Sequence, residues 1–423
     1  MRILAIETSC DETAIAMVEA SGGRTRPVFH VAANVVASQT AIHKKWGGVV
    51  PNLARRAHEK NLIPILHKAL KDAGQPKLKG KNEKGKMGVK IINLINTLLQ
   101  RETELREQII RFLARYDKPD INVVAVTYGP GLEPALWVGI NFAKALALAW
   151  GKPLVAVNHM EGHIVASLLK LKSKNKKGKT TEKKPVPRIT FPAVALLVSG
   201  GHTELVLIKD WTEYKVLGAT LDDAAGEAFD KVARMLELGY PGGPTISRIA
   251  DGWKPQITNH KSPIDYARGK RGKQTYSKTH MIKFPRPMLH SRDLNFSFSG
   301  LKTAVLYYLQ KQKRPFARTL VANVAASFQQ AVVDVLVAKT LRAVKTYKPK
   351  TVLLGGGVAA NEALRLQLAD ALSAQFPQTA LLLPEKSFTG DNAAMIAAAA
   401  YFHAKKKAYA NARTLRAEGG ARL

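Results

Sequence analysis

His159 and His163 stand four residues apart in the run Asn158-His159-Met160-Glu161-Gly162-His163, which opens a segment, 160–171, patterned as a helix. Residues four apart share one helix face, so both imidazoles point the same way and suit two ligands of one metal ion. The run is not the HExxH pattern of zinc proteases, because Glu161 lies two residues after the first histidine and falls elsewhere on the helix. Two histidines want a third donor, usually a carboxylate, and an open coordination position for substrate. Asp391, in Thr389-Gly390-Asp391-Asn392 ahead of an Ala-rich helical run 393–404, and Asp230 are both candidates. Asp391 reads equally as the N-cap of that helix. Spacing alone does not choose between them.

Two glycine loops form a second group. Ser199-Gly200-Gly201 and Gly355-Gly356-Gly357 permit close backbone approach and offer N–H groups to phosphate oxygens. Neither fits GxxxxGK[ST], which excludes a P-loop. A third group is Asp222 to Lys231, followed by Tyr240-Pro241-Gly242-Gly243-Pro244. Asp223, Glu227 and Asp230 recur there at helical spacing, along one side. A carboxylate on that side could accept from both ribose hydroxyls, and Gly242-Gly243 could let a flat base lie on backbone. The same acids would equally complement a helix dipole.

The elements that must position these groups occur twice. Apolar run, polar turn and apolar run appear at 3–18 around Thr8-Ser9-Cys10-Asp11-Glu12-Thr13, and again at 193–208 around Ser199-Gly200-Gly201-His202-Thr203, each a hairpin signal. Residues 123–127 run into Gly129-Pro130-Gly131 and an apolar helix 134–149, and 352–354 run into Gly355-Gly356-Gly357 and a helix 361–374. Two duplicated α/β halves would face each other across a cleft, with ligands outside the carboxyl ends of the strands. Outside the repeat, 91–115 carries Ile91, Leu94, Ile95, Leu98, Leu99, Leu105, Ile109, Phe112 and Leu113 at helical spacing. That predicts one or two inserted helices packed on the first half.

Composition sets the class. Of 423 residues, 65 are Lys or Arg and 32 Asp or Glu, a formal charge of +33, while 46% hydrophobic and 23% charged content excludes wholesale disorder. The length suggests two domains. A single cysteine, Cys10, allows no internal disulfide and fits a reducing compartment. No apolar run approaches the ~20 residues of a membrane span, and the chain passes from Met1-Arg2 straight into Ile3-Leu4-Ala5-Ile6, leaving no room for a targeting peptide. A cytoplasmic protein with no membrane association is expected. The positive charge concentrates at 77–90, 170–184, 261–286 and 403–423. Four such stretches point to a polyanionic partner, RNA or DNA, because neutralising phosphates releases counterions.

Taken in order, Ile6-Glu7-Thr8-Ser9-Cys10-Asp11-Glu12-Thr13, Gly47-Gly48-Val49-Val50-Pro51, Gly129-Pro130-Gly131-Leu132, the two-histidine run, Ser199 to Thr203, 222–231, Tyr240 to Pro244, Phe284-Pro285-Arg286-Pro287-Met288, Phe296-Ser297-Phe298-Ser299-Gly300-Leu301-Lys302-Thr303, Gly355 to Asn361 and Asp391-Asn392-Ala393-Ala394-Met395 follow the pattern of one family. The chain resembles the bacterial TsaD (Gcp) tRNA threonylcarbamoyltransferases, relatives of archaeal and eukaryotic OSGEP. The resemblance covers all but about 77–116, 172–190 and the tail after 404. Asn52 departs from it, standing where bacterial members usually carry Glu.

The resemblance implies an α/β, actin-like (ASKHA) fold of two duplicated lobes around a central cleft. It implies an N-terminal lobe 1–171 with a partly helical insertion 77–116, a Lys-rich linker 172–190, a C-terminal lobe 191–390, and a segment 391–423 whose helix packs back toward the first lobe before a basic tail. The implied reaction moves a threonylcarbamoyl group from threonylcarbamoyl-AMP to N6 of the adenosine at position 37 of tRNAs reading ANN codons. By resemblance, His159, His163 and Asp391 hold one divalent metal, Fe2+ ahead of Zn2+. The adenylate would lie along Leu197, Val198, Ser199, Gly200 and Gly201, with Asp230 on ribose, Gly243 beside the nucleoside and Asn361 toward the adenine. Thr8, Ser9, Glu12, Gly355 and Gly356 are candidates behind the metal or beside the phosphate. TsaB-like and TsaE-like accessory proteins are expected partners. The 77–116 insertion and the 170–184 loop are expected to extend the tRNA-binding face. The rival readings are a metallopeptidase, a non-catalytic scaffold of the same fold, and a kinase or ATPase.

Overall fold

Leu4 and Ile6 of the first strand face one way while Ile3 and Ala5 face the other, and both sets are fully buried. That period of two, apolar on both faces, makes a strand with a layer on either side. The computed structural model describes residues 1–24, 26–75, 88–170, 189–253, 257–259, 276–278 and 281–423. Most of the basic stretches 77–90, 170–184 and 261–286 lies outside the described residues.

The first half contains β1 (Arg2–Glu7), β2 (Glu12–Gly22), β3 (Pro27–Ser38), α1 (Thr40–His43), α2 (Pro51–Asp72), α3 (Val89–Leu98), α4 (Thr103–Arg115), β4 (Val123–Gly129), α5 (Glu133–Trp150), β5 (Leu154–Asn158) and α6 (His159–Val165). Its sheet runs β3-β2-β1-β4-β5, antiparallel across β3-β2-β1 and parallel across β1-β4-β5. The second half contains β6 (Ala193–Val198), β7 (Thr203–Asp210), β8 (Glu213–Ala219), α7 (Ala225–Met235), α8 (Gly242–Asp251), β9 (Ile257–Asn259), β10 (Tyr276–Lys278), α9 (Ser299–Gln310), α10 (Arg318–Tyr347), β11 (Thr351–Gly355), α11 (Glu362–Gln375), β12 (Ala380–Leu382) and α12 (Ala393–Lys405). Its sheet, β8-β7-β6-β11-β12, repeats the same order and the same strand senses. This duplication is the two-lobed, actin-like α/β fold.

Three cores stack the layers. Leu4, Ile6, Val124 and Val126 pack against α2, α4 and α5 outside the first sheet, and Val194, Leu196 and Val198 pack against α7, α9, α10 and α11 outside the second. Between the sheets lie α6 and α12. The inner faces there are made of small residues, Ala5, Ala14, Ala16 and Ala125 from one sheet and Ala193 and Ala195 from the other. They leave room for a helix, and Ala393 to Ala400 of α12 are buried all round, as a helix enclosed by two sheets must be. At its far end Phe402 stacks on Trp211 at 4.2 Å and meets Phe29 edge-on at 6.1 Å, so one aromatic cluster closes both sheets.

Two sequence expectations need adjustment. The helix expected over 160–171 stops at Val165 and tightens into a 3-10 turn, Ala166–Leu168, because Leu168 and Leu169 turn back into the central core. Among the described residues one helix, α10, is long and apolar enough to cross a membrane by length and composition, but 61% of that window is buried and it forms the spine of the second outer core.

Candidate metal centre

The parallel strands β1, β4 and β5 end side by side, and each delivers a polar group there: Glu7, Thr127 and His159. The Asn158 side chain caps α6 by accepting from the Met160 N–H at 2.9 Å, which starts the helix at His159. His159 and His163 then lie one turn apart on a buried helix. Asp391 arrives from the entry to α12. Asn392 is the cap there, accepting from the Met395 N–H at 3.1 Å, so the N-cap alternative for Asp391 is overturned and its carboxylate is left for the histidines. One donor atom from each of His159, His163 and Asp391 fits within 4.8 Å. Asp391 Oδ1 lies 3.4 Å from His159 Nε2 and 3.2 Å from His163 Nε2. Neither ring nitrogen of His163 has a hydrogen-bond partner, although the residue is fully buried. Two imidazole nitrogens 3.2–3.4 Å from one carboxylate oxygen, all three donors within 4.8 Å of one another, can be spanned by ligand bonds of ~2.0–2.2 Å. The residues fit a divalent ion.

Glu7 is the residue the sequence reading missed. It is fully buried, and its Oε2 lies 3.0 Å from His159 Nδ1 and accepts from Thr127 Oγ1 at 2.5 Å, while Oε1 accepts from the Ser9 N–H at 2.5 Å. A carboxylate on the second ring nitrogen fixes the orientation of a metal-binding histidine and leaves Nε2 free for the ion. The available signal was an acid closing an otherwise apolar strand, Ile3-Leu4-Ala5-Ile6-Glu7. Burial opposes ionisation of both Glu7 and Asp391, yet the adjacent His159, joined at Asp391 by His163, holds each carboxyl below its usual range. Burial likewise opposes a charge on His159, but Asp391 and Glu7 raise it well above 6.5, whereas burial keeps His163 low. A buried carboxylate, Glu7, and a half-buried one, Asp391, thus create a demand for positive charge at this point.

The other singled-out residues are distributed around this centre. Ser9 Oγ lies 3.2 Å from His159 Nδ1. Thr8 turns away, donating to the Ala135 carbonyl at 3.1 Å. Glu12, at the start of β2, is pushed up to about 9 by burial and then by Asp391 and Asp11. Leu197 and Val198 are buried at the end of β6, and Ser199, Gly200 and Gly201 form the turn that follows, where an added Cβ at either glycine meets nothing within 4 Å. His202 is lowered to about 4 by burial and then by the charges of His159 and His163. Gly355 and Gly356 serve packing: a Cβ would fall 2.5 Å from the His163 carbonyl oxygen and 2.3 Å from that of Val198.

The acids of α7 do not form one working face. Asp223 lies ahead of the helix, held at 2.7 Å by both Lys231 and Lys302, and Glu227 pairs with Lys231 at 2.9 Å. Asp230 stands apart from the metal donors and accepts from the Gly242 N–H at 2.7 Å, opening α8 with Gly243 as its second residue. A cavity of about 260 Å³ adjoins it, lined by Lys44, Gly47, Arg234, Gly239 and Tyr240 among others. Asn361 caps α11 through Leu364 and donates to Ser247 Oγ at 2.8 Å and Gln329 Oε1 at 2.7 Å, joining α8, α10 and α11.

Known proteins resemble this chain closely. The sequence pattern of TsaD, described as tRNA N6-adenosine threonylcarbamoyltransferase, matches residues 30–78 and 108–398, leaving 79–107 unmatched. A tRNA N6-adenosine threonylcarbamoyltransferase of Moorella thermoacetica is 41% identical over 409 residues, covering 96% of this chain and 93% of its own. One from Thermosipho africanus is 41% identical over 406 residues, covering 96% and 95%. Among solved structures, the activator of the 2-hydroxyisocaproyl-CoA dehydratase from Clostridium difficile with bound ADPNP aligns over 96% of this chain and 97% of its own, at 10% identity and a TM-score of 0.43. At this identity to two relatives, over nearly the whole length of all three chains, the chain belongs to the tRNA N6-adenosine threonylcarbamoyltransferase (TsaD) family.

Proposed function

We propose that this transferase moves the threonylcarbamoyl group of threonylcarbamoyl-AMP to N6 of adenosine 37 in tRNAs reading ANN codons, and that His159, His163 and Asp391 hold the ion that assists it. A divalent ion there supplies Lewis acidity toward carbonyl or phosphate oxygens. The two-nitrogen, one-oxygen donor set accepts Fe2+ or Zn2+, and we take Fe2+ first. Glu7 and Ser9 orient His159. The open turn of Ser199, Gly200 and Gly201 presents backbone to the adenylate, with Asp230, Gly243 and Asn361 marking its ribose and adenine end. In the transfer, the N6 nitrogen bonds to the carbamoyl carbon, the bond from that carbon to the phosphate oxygen breaks, and AMP leaves while N6 gives up a proton. The protein's task is to align a weak amine with an activated carbon, which makes orientation the main contribution of its loops.

The observation that carries the proposal is the convergence of three metal donors at the carboxyl ends of the first sheet in a member of this family. A peptidase reading finds no support in Glu161. That carboxylate is buried, hydrogen-bonded to Tyr214 and His403, and so not available as a general base beside the ion. The basic tail 403–423 and the three other basic stretches are proposed tRNA contacts, in a cytoplasmic enzyme working with TsaB-like and TsaE-like proteins. The test supplies threonylcarbamoyl-AMP and unmodified tRNA, with and without those partners, and seeks the modified nucleoside by mass spectrometry. No product under any combination refutes the activity. Asp391→Ala protein that keeps stoichiometric metal refutes the ligand set.

A further inference from the structure

Glu161 sits between the two histidines in sequence but on the opposite side of α6, and only 2% of its surface is exposed. Its two carboxylate oxygens are engaged by two different elements. Oε1 accepts from Tyr214 Oη at 2.8 Å, from β8 at the edge of the second sheet, and Oε2 lies 2.7 Å from His403 Nε2, near the far end of α12. A second contact joins the same two helices. Gly162 packs so tightly on the start of α12 that a Cβ there would fall 2.9 Å from Ile396 Cδ1 and 3.0 Å from Met395 Cγ.

We infer that Glu161 is a positioning residue for the metal centre, clamping the helix that carries His159 and His163 to the helix that begins beside Asp391. Met160, Ile164 and Val165 share the central core with α12, and Glu161 adds to that apolar packing a directional polar contact. Two contacts, at Gly162 near the start of α12 and at Glu161 near its end, fix the angle between the helices and so the spacing of the three donors. The Tyr214 bond extends the clamp to the second sheet, so that the ion and the orientation of the lobes are mechanically linked. Replacing the Glu161 side chain by alanine's methyl removes both bonds and leaves the Tyr214 hydroxyl and the His403 imidazole without that partner. It removes no ligand.

The inference rests on the proposed ligand set, and metal affinity separates the two. The full-length protein is titrated with Co2+ in competition with a chelator, and its visible spectrum reports donor geometry. The control His163→Ala removes a ligand: if it binds as tightly as the parent, the ligand set is wrong and the clamp falls with it. Given loss of binding in that control, Glu161→Ala is expected to weaken affinity about 10–100-fold, as other groups supporting metal ligands do, with a changed spectrum. Glu161→Gln should lose less, and adding His403→Ala to Glu161→Ala should cost little more. A Glu161→Ala protein with lower thermal stability but the parent's affinity and spectrum overturns the clamp and leaves Glu161 a packing residue. Should that variant fail to fold, His403→Ala, which breaks the bond from Glu161 to α12, decides: weaker Co2+ binding supports the inference and unchanged binding overturns it.

Discussion

The turns between β1 and β2 and between β6 and β7 occupy equivalent places in the two halves, yet they are built in opposite ways. The first is closed. Thr8, Ser9 and Asp11 are buried, and His58 braces the turn from behind, with Nε2 donating to the Cys10 carbonyl at 3.0 Å and Nδ1 accepting from Thr13 Oγ1 at 2.8 Å. The second is open. It is held at its base, by Ser199 N–H to the His202 carbonyl at 2.8 Å, His202 N–H to Ser199 Oγ at 3.1 Å and, from α7, Gly226 N–H to the Ser199 carbonyl at 3.2 Å, while Gly200 and Gly201 are exposed. Duplication supplied two equal loops. One is packed closed beside the candidate metal donors, and the other leaves two glycines exposed.

That contrast can be broken in graded steps. His58 gives the largest effect. Burial lowers it to about 4 from its ordinary 6.5, so the unfolded chain binds the proton more tightly than the folded one. The stability it contributes is complete above pH 6.5 and is lost as pH falls toward 4, by about 3 kcal/mol. Chemical denaturation at pH 7 and pH 4.5 should show a smaller drop for His58→Gln than for the parent. Equal drops would mean that His58 does not brace the turn as a neutral base. Next comes Gly139, where a Cβ would fall 2.1 Å from Thr8 Oγ1. Gly139→Ala must displace Thr8 from the Ala135 carbonyl, and about 1–3 kcal/mol of destabilisation is expected in urea titrations. The smallest stability change belongs to the open turn: Gly201→Ala should stay within about 0.5 kcal/mol of the parent. Its effect should appear instead as a raised KM for threonylcarbamoyl-AMP. A large loss of stability there would show that the two turns are not so different.

The duplicated order of elements was legible because each half repeats a period-two apolar run broken by the same kind of small polar turn, and backbone pairing follows such patterns directly. The paired histidines were legible for a similar reason, since i and i+4 meet on any helix. Contacts between distant segments were not. Glu7 reads as the end of an apolar strand, and only the parallel alignment of β1 with β4 and β5 brings it to His159. Asp391 and Asn392 are adjacent acceptors, and nothing in their order says which one caps α12. Asp223 and Glu227 matched a helical period with Asp230, yet Lys231 and Lys302 claim them, and one of those lysines lies far along the chain.

One consequence of the buried α12 concerns the order of synthesis. The strands of the first sheet and both histidines leave the ribosome long before Asp391, by about ten seconds or more at ~5–20 residues per second. Through that interval the alanine-lined inner face of the first sheet lacks the helix that will cover it, and the two imidazoles lack the Asp391 carboxylate. An interrupted chain therefore carries both histidines without the third of the proposed metal donors. On the proposed ligand set, a complete metal site can assemble only once the last helix has been made.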